Sequence, residues 1–548
     1  MPTWTFSPYG LAPIFAGVSI INIQYNMTYK KNIGSTAKFI HELTQEEVTI
    51  AGLPFVETKG KLFVNSTSLG ITISINMENI EKEVHKDGEI ITDTITPNSK
   101  GPANVTSLQV KNGSVNCLIP TGYRSIPTPE CNQFGYSIKC SVFFSELVNA
   151  QWYNEKNEKE FYYQTLIPMP MDGIKRFCIW DYIQIVPPDN GDRHLDIPLS
   201  GEKQVRVFSK KIHQVHYLVV ESRFPCTYNE ILDYTYAVSL SLGLMTTIAP
   251  FDYAFVIASE IPDFGGKIMG GMIKLRPTIK SQYRFITTDI SELYENLKEK
   301  VDYDAFRPYC DKEGKLLRSH LDPMTEQDFS SLVSMLHRSK DLARSALMLI
   351  DSSMNLECLG AIYAVALETI CSVLIEANKE SFSDYFEKKP WDDEWISNKN
   401  KLTRPFERLV EIGHELSEEK RDELVNIRNS FLHGGVLGFS HTEYHKLQYP
   451  CMKLRCSCGI LLLRYSGYKG PILNNAVEMG LEEALKNKEP LFITYDEEAA
   501  KELVEKRKKE KQKEEEEKKK KQSQDKNNTR NQGKEKSPQP TEEPEASV

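Results

Sequence analysis

"NIRNSFLHGG", residues 426–435, sets Arg428, Asn429 and His433 into an otherwise apolar helical pattern and then stops it with two glycines. On a helical wheel, Phe431, Ile427, Leu432 and Val425 spread around Leu424, and Arg428 lands about 40° from Leu424, inside that apolar arc. An arginine is almost never buried unpaired, because taking its charge out of water costs several kcal/mol. Arg428 therefore calls for a carboxylate or phosphate partner, or for an arc that faces a wet cleft. Glu368, the only charge between Glu357 and Glu376, is one available carboxylate. Gly434 and Gly435 supply a helix stop and leave His433 at an exposed lip.

The surrounding sequence is helical. Thr325 to Asp328 forms a capping signal, and Phe329, Leu332, Met335 and Leu336 follow at helical intervals. The run "CLGAIYAVALETICSVLI" (358–375), "PFERLVEIG", "KRDELVNIRNSFLH" and "CMKLRCSCGILLLRY" repeat that periodicity. Four or five helices over residues 325–470 match the size of a helical bundle. The 358–375 run is apolar, but it carries Glu368 and several small polar residues, so it reads as the buried helix of a bundle rather than a membrane span.

Upstream the texture differs. Residues 1–225 read as a β-rich domain: "KLFVNSTSLGITISINM" and "QVRVFSKKIHQVHYLVVES" alternate, and "TPNSKGP" and "PPDNGD" mark turns. At Thr227 a Thr-x-x-Glu capping box opens a helix, and "FDYAFVIASE" and "GGMIKLRP" return to strand, so 226–322 is a mixed segment packed with the N-terminal domain. Residues 471–500 read as a helical extension. Residues 501–548 form a charged low-complexity tail with too few apolar residues for a core: "KELVEKRKKEKQKEEEEKKKKQ" reads as a solvated helix or as disordered, and residues 523–548 are expected to be disordered. The fold class is α+β and multidomain.

The chain has 548 residues and a net charge of -9, so no global basic field advertises nucleic acid; an anionic partner must be held by a local patch. Eleven scattered cysteines fit reduced thiols of a cytosol, and no targeting segment or membrane span is expected. Cys451, Cys456 and Cys458 lack the usual zinc spacing and share a helical stripe with Leu454 and Leu461, which makes them small core residues. There is no Walker loop, dinucleotide fingerprint, Gly-x-Ser-x-Gly or HExxH motif, so no cofactor or metal is expected.

The pattern Arg428-Asn429-x-x-x-His433, set in a helical bundle, resembles the Rx4–6H motif of HEPN domains, and "LVNIRNSFLHG" after "RPFERLVEIG" looks most like the Apea-like HEPN group. The resemblance covers about residues 325–470. It implies a metal-independent endoribonuclease in which the ribose 2′-OH attacks the neighbouring phosphate. A histidine can move that proton near neutrality, and an arginine can present donors to the developing charge. Arg428 and His433 are then catalytic, Asn429 orients His433 or binds phosphate, and Glu368 pairs with Arg428 or tunes His433. The resemblance also implies that two such helices pair across a homodimer through the HEPN domain, which would bring together Arg428 and His433, about 140° apart on one helix. The resemblance further implies cytoplasmic anti-phage defence in bacteria, tRNA as favoured substrate, and an N-terminal region that holds the nuclease inactive until a phage-derived or other trigger binds. The alternative is a non-catalytic HEPN unit that binds RNA or acts as a scaffold.

A local RNA surface has candidates. Lys446, Lys453 and Arg455 stand with Tyr444 and other tyrosines in a stretch with one acid, and basic groups interleaved with aromatics suit backbone neutralisation and base stacking.

Overall fold

The structure is a computed structural model that describes residues 35–76, 108–169, 183–184, 194–316, 321–379, 387–408, 417–433 and 445–513, short gaps within these ranges excepted. It mixes sheet and helix, with a β-rich N-terminal half and a helical C-terminal part. The turns expected at 96–102 and 187–192, and nearly all of the charged tail, lie outside the described residues.

Fourteen strands make one antiparallel sheet. In spatial order they are His194–Pro198, Gln204–Ile212, Val215–Ser222, Tyr162–Pro168, Tyr253–Ser259, Ile268–Lys274, Glu146–Asn149, Val115–Ile119, Leu108–Asn112, Glu47–Gly52, Phe55–Thr67, Gly70–Asn76, Gly135–Phe144 and Arg124–Asn132. The alternating stretches at 61–77 and 204–222 form hairpins, paired Leu62 to Ile73 and Val207 to Val220.

In the first half of this order both faces of the sheet are covered. Leu218, Val220, Val256 and Ala258 enter the core shared with the helices. Their neighbours Tyr217, Val219, Phe255 and Ile257 enter a second core, shared with helix α1 (Ser35–Leu43). Double coverage explains why "YAFVIAS" is a continuous apolar run rather than an alternation. Helix α1 falls within sequence whose pattern reads as strand. What defines it is Phe39, Ile40 and Leu43 on one buried face.

A short helix α2 (Ala150–Glu155) precedes α3 (Tyr228–Thr246), whose capping box forms as the sequence indicates: Thr227 Oγ1 accepts from Glu230 N–H, and Glu230 accepts from Thr227 N–H at 2.8 Å. A short α4 (Ser291–Leu297) follows. The helical part is α5 (Glu326–Arg338), α6 (Lys340–Ile350), α7 (Leu356–Ala377), α8 (Asn398–Arg408), α9 (Glu418–Leu432) and α10 (Gln448–Tyr465). The sequence pattern reads one helix at 329–336, yet the chain makes two, because Ser339 ends α5 and at once caps α6, its Oγ accepting from Leu342 N–H at 3.2 Å. Helix α8 begins seven residues before Pro405, which therefore lies inside it rather than at its start.

A single apolar core runs from Trp152 through α3 and α5–α10 to Phe492. Residues 471–493 contribute two short helices, Asn475–Glu478 and Glu482–Lys486, closed by a two-residue strand pair. Cys358–Ala377 is the one described segment long and apolar enough to cross a membrane. In the fold this segment packs against α6, α8, α9 and α10.

Candidate functional site

Helix α9 starts at Ser417, whose side chain accepts from Lys420 N–H, and ends at His433, whose N–H reaches Asn429 O at 2.9 Å. Leu424 is buried, and the Phe431 ring packs close against α7 at Gly360. That approach needs Gly360: a Cβ there would fall 2.0 Å from the Phe431 ring. Val425, Ile427, Phe431 and Leu432, each half-buried, pack on the core with Leu424, so the apolar arc of α9 faces a helix seam.

Arg428 sits in that seam, only 6% exposed. One amino group donates to Glu368 on α7, and the other donates to Asn429 Oδ1 at 2.9 Å. Its Nε is buried and meets no acceptor among the described residues. The carboxylate partner that the wheel calls for is thus Glu368. Lys401 on α8 approaches the second Glu368 oxygen at 3.6 Å. Burial favours the neutral Glu368 carboxyl, but the hydrogen bond and charge of Arg428, with the charge of Lys401, outweigh it and hold the group below its ordinary value. Three helices therefore supply one carboxylate and two cations, a surplus of one positive charge.

The structure joins Arg428, Asn429 and Glu368 by side-chain hydrogen bonds, whereas His433 meets Asn429 through its backbone N–H. The His433 residue is exposed at the end of α9, and no hydrogen bond joins its imidazole to the other three. Gly434 and Gly435 lie outside the described residues, as does Tyr444. Lys401 was not indicated by the sequence, where it is an ordinary lysine in "NKNKLTRPFER"; only the fold sets it against Glu368.

The expected RNA-facing roles of Arg455 and Lys453 do not hold. Arg455 is fully buried in α10, donating to Leu349 O and Tyr283 O at 3.1 Å and to Asn475, with its guanidinium 4.0 Å from the Phe285 ring centroid. Desolvation lowers its affinity for a proton, and no phosphate can reach it. Lys453 is held by Glu489 and the Tyr449 hydroxyl at 2.9 Å and by Glu423 at 3.5 Å. Arg464, also buried, donates to Tyr468 O, Gly470 O and Ile493 O. Tyr449, Arg455, Arg464 and Tyr468 build the interior, and Arg455, Arg464 and Lys453 tie the 471–493 segment to it. Lys446 alone of the four RNA candidates is described as exposed.

Cys451, Cys456 and Cys458 are buried in α10, and Cys458 Sγ lies 3.6 Å from Tyr363 O. A cleft of about 1020 Å³, with no sequence signal, lies between the edge strand His194–Pro198, α5, and the C-terminal ends of α7 and α10. No family model, curated protein or solved structure matches this chain.

Proposed function

We propose that this chain is a metal-independent endoribonuclease of HEPN type, Apea-like, that cleaves cellular RNA, with tRNA favoured, in bacterial anti-phage defence. The reading rests on the resemblance of Arg428, Asn429 and His433 to the family motif. The observation that carries it is the Arg428–Glu368–Asn429 cluster, held across two helices, at the end of a helix that terminates in an exposed histidine. His433 moves the proton between the ribose 2′-OH and the 5′-oxygen leaving group. Arg428 and Lys401, both set against Glu368, leave one positive charge in excess beside the phosphate, so that 2′-OH attack needs no metal to stabilise the developing charge. The enzyme works in the cytoplasm as a homodimer through its helical part, which sets two copies of the motif about one cleft.

The N-terminal β-rich region holds the nuclease inactive until a phage-derived or other trigger binds. Support comes from the shared core: α3, next to the sheet, packs on α5 and α6, so a change in the sheet strains the helices directly. One observation favours a second reading, a non-catalytic HEPN unit that binds RNA or acts as a scaffold. Arg428 is buried with both amino groups taken, as a purely structural ion pair would be. Growth and total RNA of cells expressing wild type or His433→Ala, with and without phage infection, separate the two. The enzyme gives toxicity or RNA fragments that vanish with the substitution; the scaffold gives identical cultures.

A further inference from the structure

The sequence singles out Arg428 as the cation for phosphate, and the fold buries it. Its side chain is 7% exposed, against 27% for Lys401, which shares the same carboxylate from the solvent side. Arg428 already balances the charge of Glu368, so Lys401 brings a second positive charge to the site. Its Nζ stands 3.6 Å from Glu368 Oε1, a contact that engages one of the three ammonium donors. An ammonium is a compact point charge on a flexible stem, suited to a phosphate that arrives from solvent.

We propose that Lys401 is the phosphate-contacting residue of this site, donating to a non-bridging oxygen of the RNA backbone while Arg428 positions Glu368 and Asn429 beneath it. This rests on the ribonuclease reading above. Lys401 attracts the backbone phosphate next to the bond that is cut, and its charge at the same time keeps Glu368 ionised and seated on Arg428. Base identity plays no part in the contact, so its loss affects RNA sequences equally.

The test uses the full-length chain carrying His433→Ala, which blocks cleavage, and a short fluorescein-labelled single-stranded RNA. Binding is titrated across a salt series, with thermal unfolding recorded alongside. Adding Lys401→Gln, which keeps most of the stem, is expected to weaken binding and flatten the slope of log affinity against log salt by about 0.7, the value for one phosphate contact on a single strand. Lys401→Arg is expected to retain both affinity and slope. Equal slopes with and without Lys401→Gln overturn the assignment and leave the ribonuclease reading standing. Failure of Lys401→Gln to fold makes the lysine structural and overturns it too. No RNA binding by the His433→Ala parent removes the ribonuclease reading and this inference with it.

Discussion

At the scale of single residues, Arg428 and Glu368 govern one another. Removing Glu368 strands a buried guanidinium, so Glu368→Leu is expected to lower unfolding free energy by about 3 kcal/mol. Replacing both partners by apolar residues removes the unpaired charge, so Glu368→Leu with Arg428→Met is expected to lose less than the sum of the singles. Urea denaturation of the three variants and wild type completes the cycle. The pH dependence has a definite sign. The Glu368 carboxyl titrates lower in the folded chain than in the unfolded one, so its stabilisation is complete above the ordinary value of 4.5 and fades as acid protonates the folded group. The stability gap between wild type and Glu368→Gln is therefore expected to be full at neutrality and to narrow as pH falls below that value. Arg455→Met, by contrast, is expected to cost about 3 kcal/mol by orphaning carbonyls of Leu349 and Tyr283, with no change in the salt dependence of RNA binding. The wheel showed from sequence that Arg428 needed a partner, because that conclusion needs only helix geometry and the cost of desolvation. It could not show that Arg455 and Lys453 point inward. The apolar residues of α10 surround the helix, so no face of it reads as outside.

At the scale of elements, local chemistry was legible and long-range contact was not. The caps at Thr227 and Thr325 are short-range hydrogen bonds, and both stand in the structure as their spacing indicates. Thr227→Ala is expected to destabilise the chain by about 1 kcal/mol in thermal or urea unfolding. Helices α1 and α6 were hidden, α1 by the strand-like sequence around it and α6 by its single-residue separation from α5. The seam of α7 and α9 depends on Gly360, whose meaning appears only once Phe431 is placed against it. A methyl group there has nowhere to go, and Gly360→Ala is expected to cost about 2 kcal/mol by forcing the helices apart. Phe431→Leu in the same chain is expected to return part of that loss. RNA cleavage should fall with Gly360→Ala as well, since α9 carries Arg428, Asn429 and His433 together.

At the scale of the whole molecule, the change of texture near residue 325 was visible in periodicity, but the core crosses it. Helix α3, with fourteen of its nineteen residues buried, lies between the sheet and α5 and α6. A fragment beginning at residue 325 would expose the apolar surfaces that α3 now covers. It is expected to aggregate or to lack a cooperative unfolding transition by circular dichroism, whereas the full chain unfolds cooperatively. The same continuity gives the sheet a mechanical route to the helices, which the proposed regulation requires.

The central claim is cleavage by 2′-OH attack that depends on His433. Sequencing of RNA ends from cells expressing wild type or His433→Ala, with and without phage infection, tests it most directly. New 2′,3′-cyclic phosphate and 5′-hydroxyl ends, abundant in tRNA and missing with His433→Ala, are expected. Identical end profiles for the two proteins in infected and uninfected cells alike would contradict the claim.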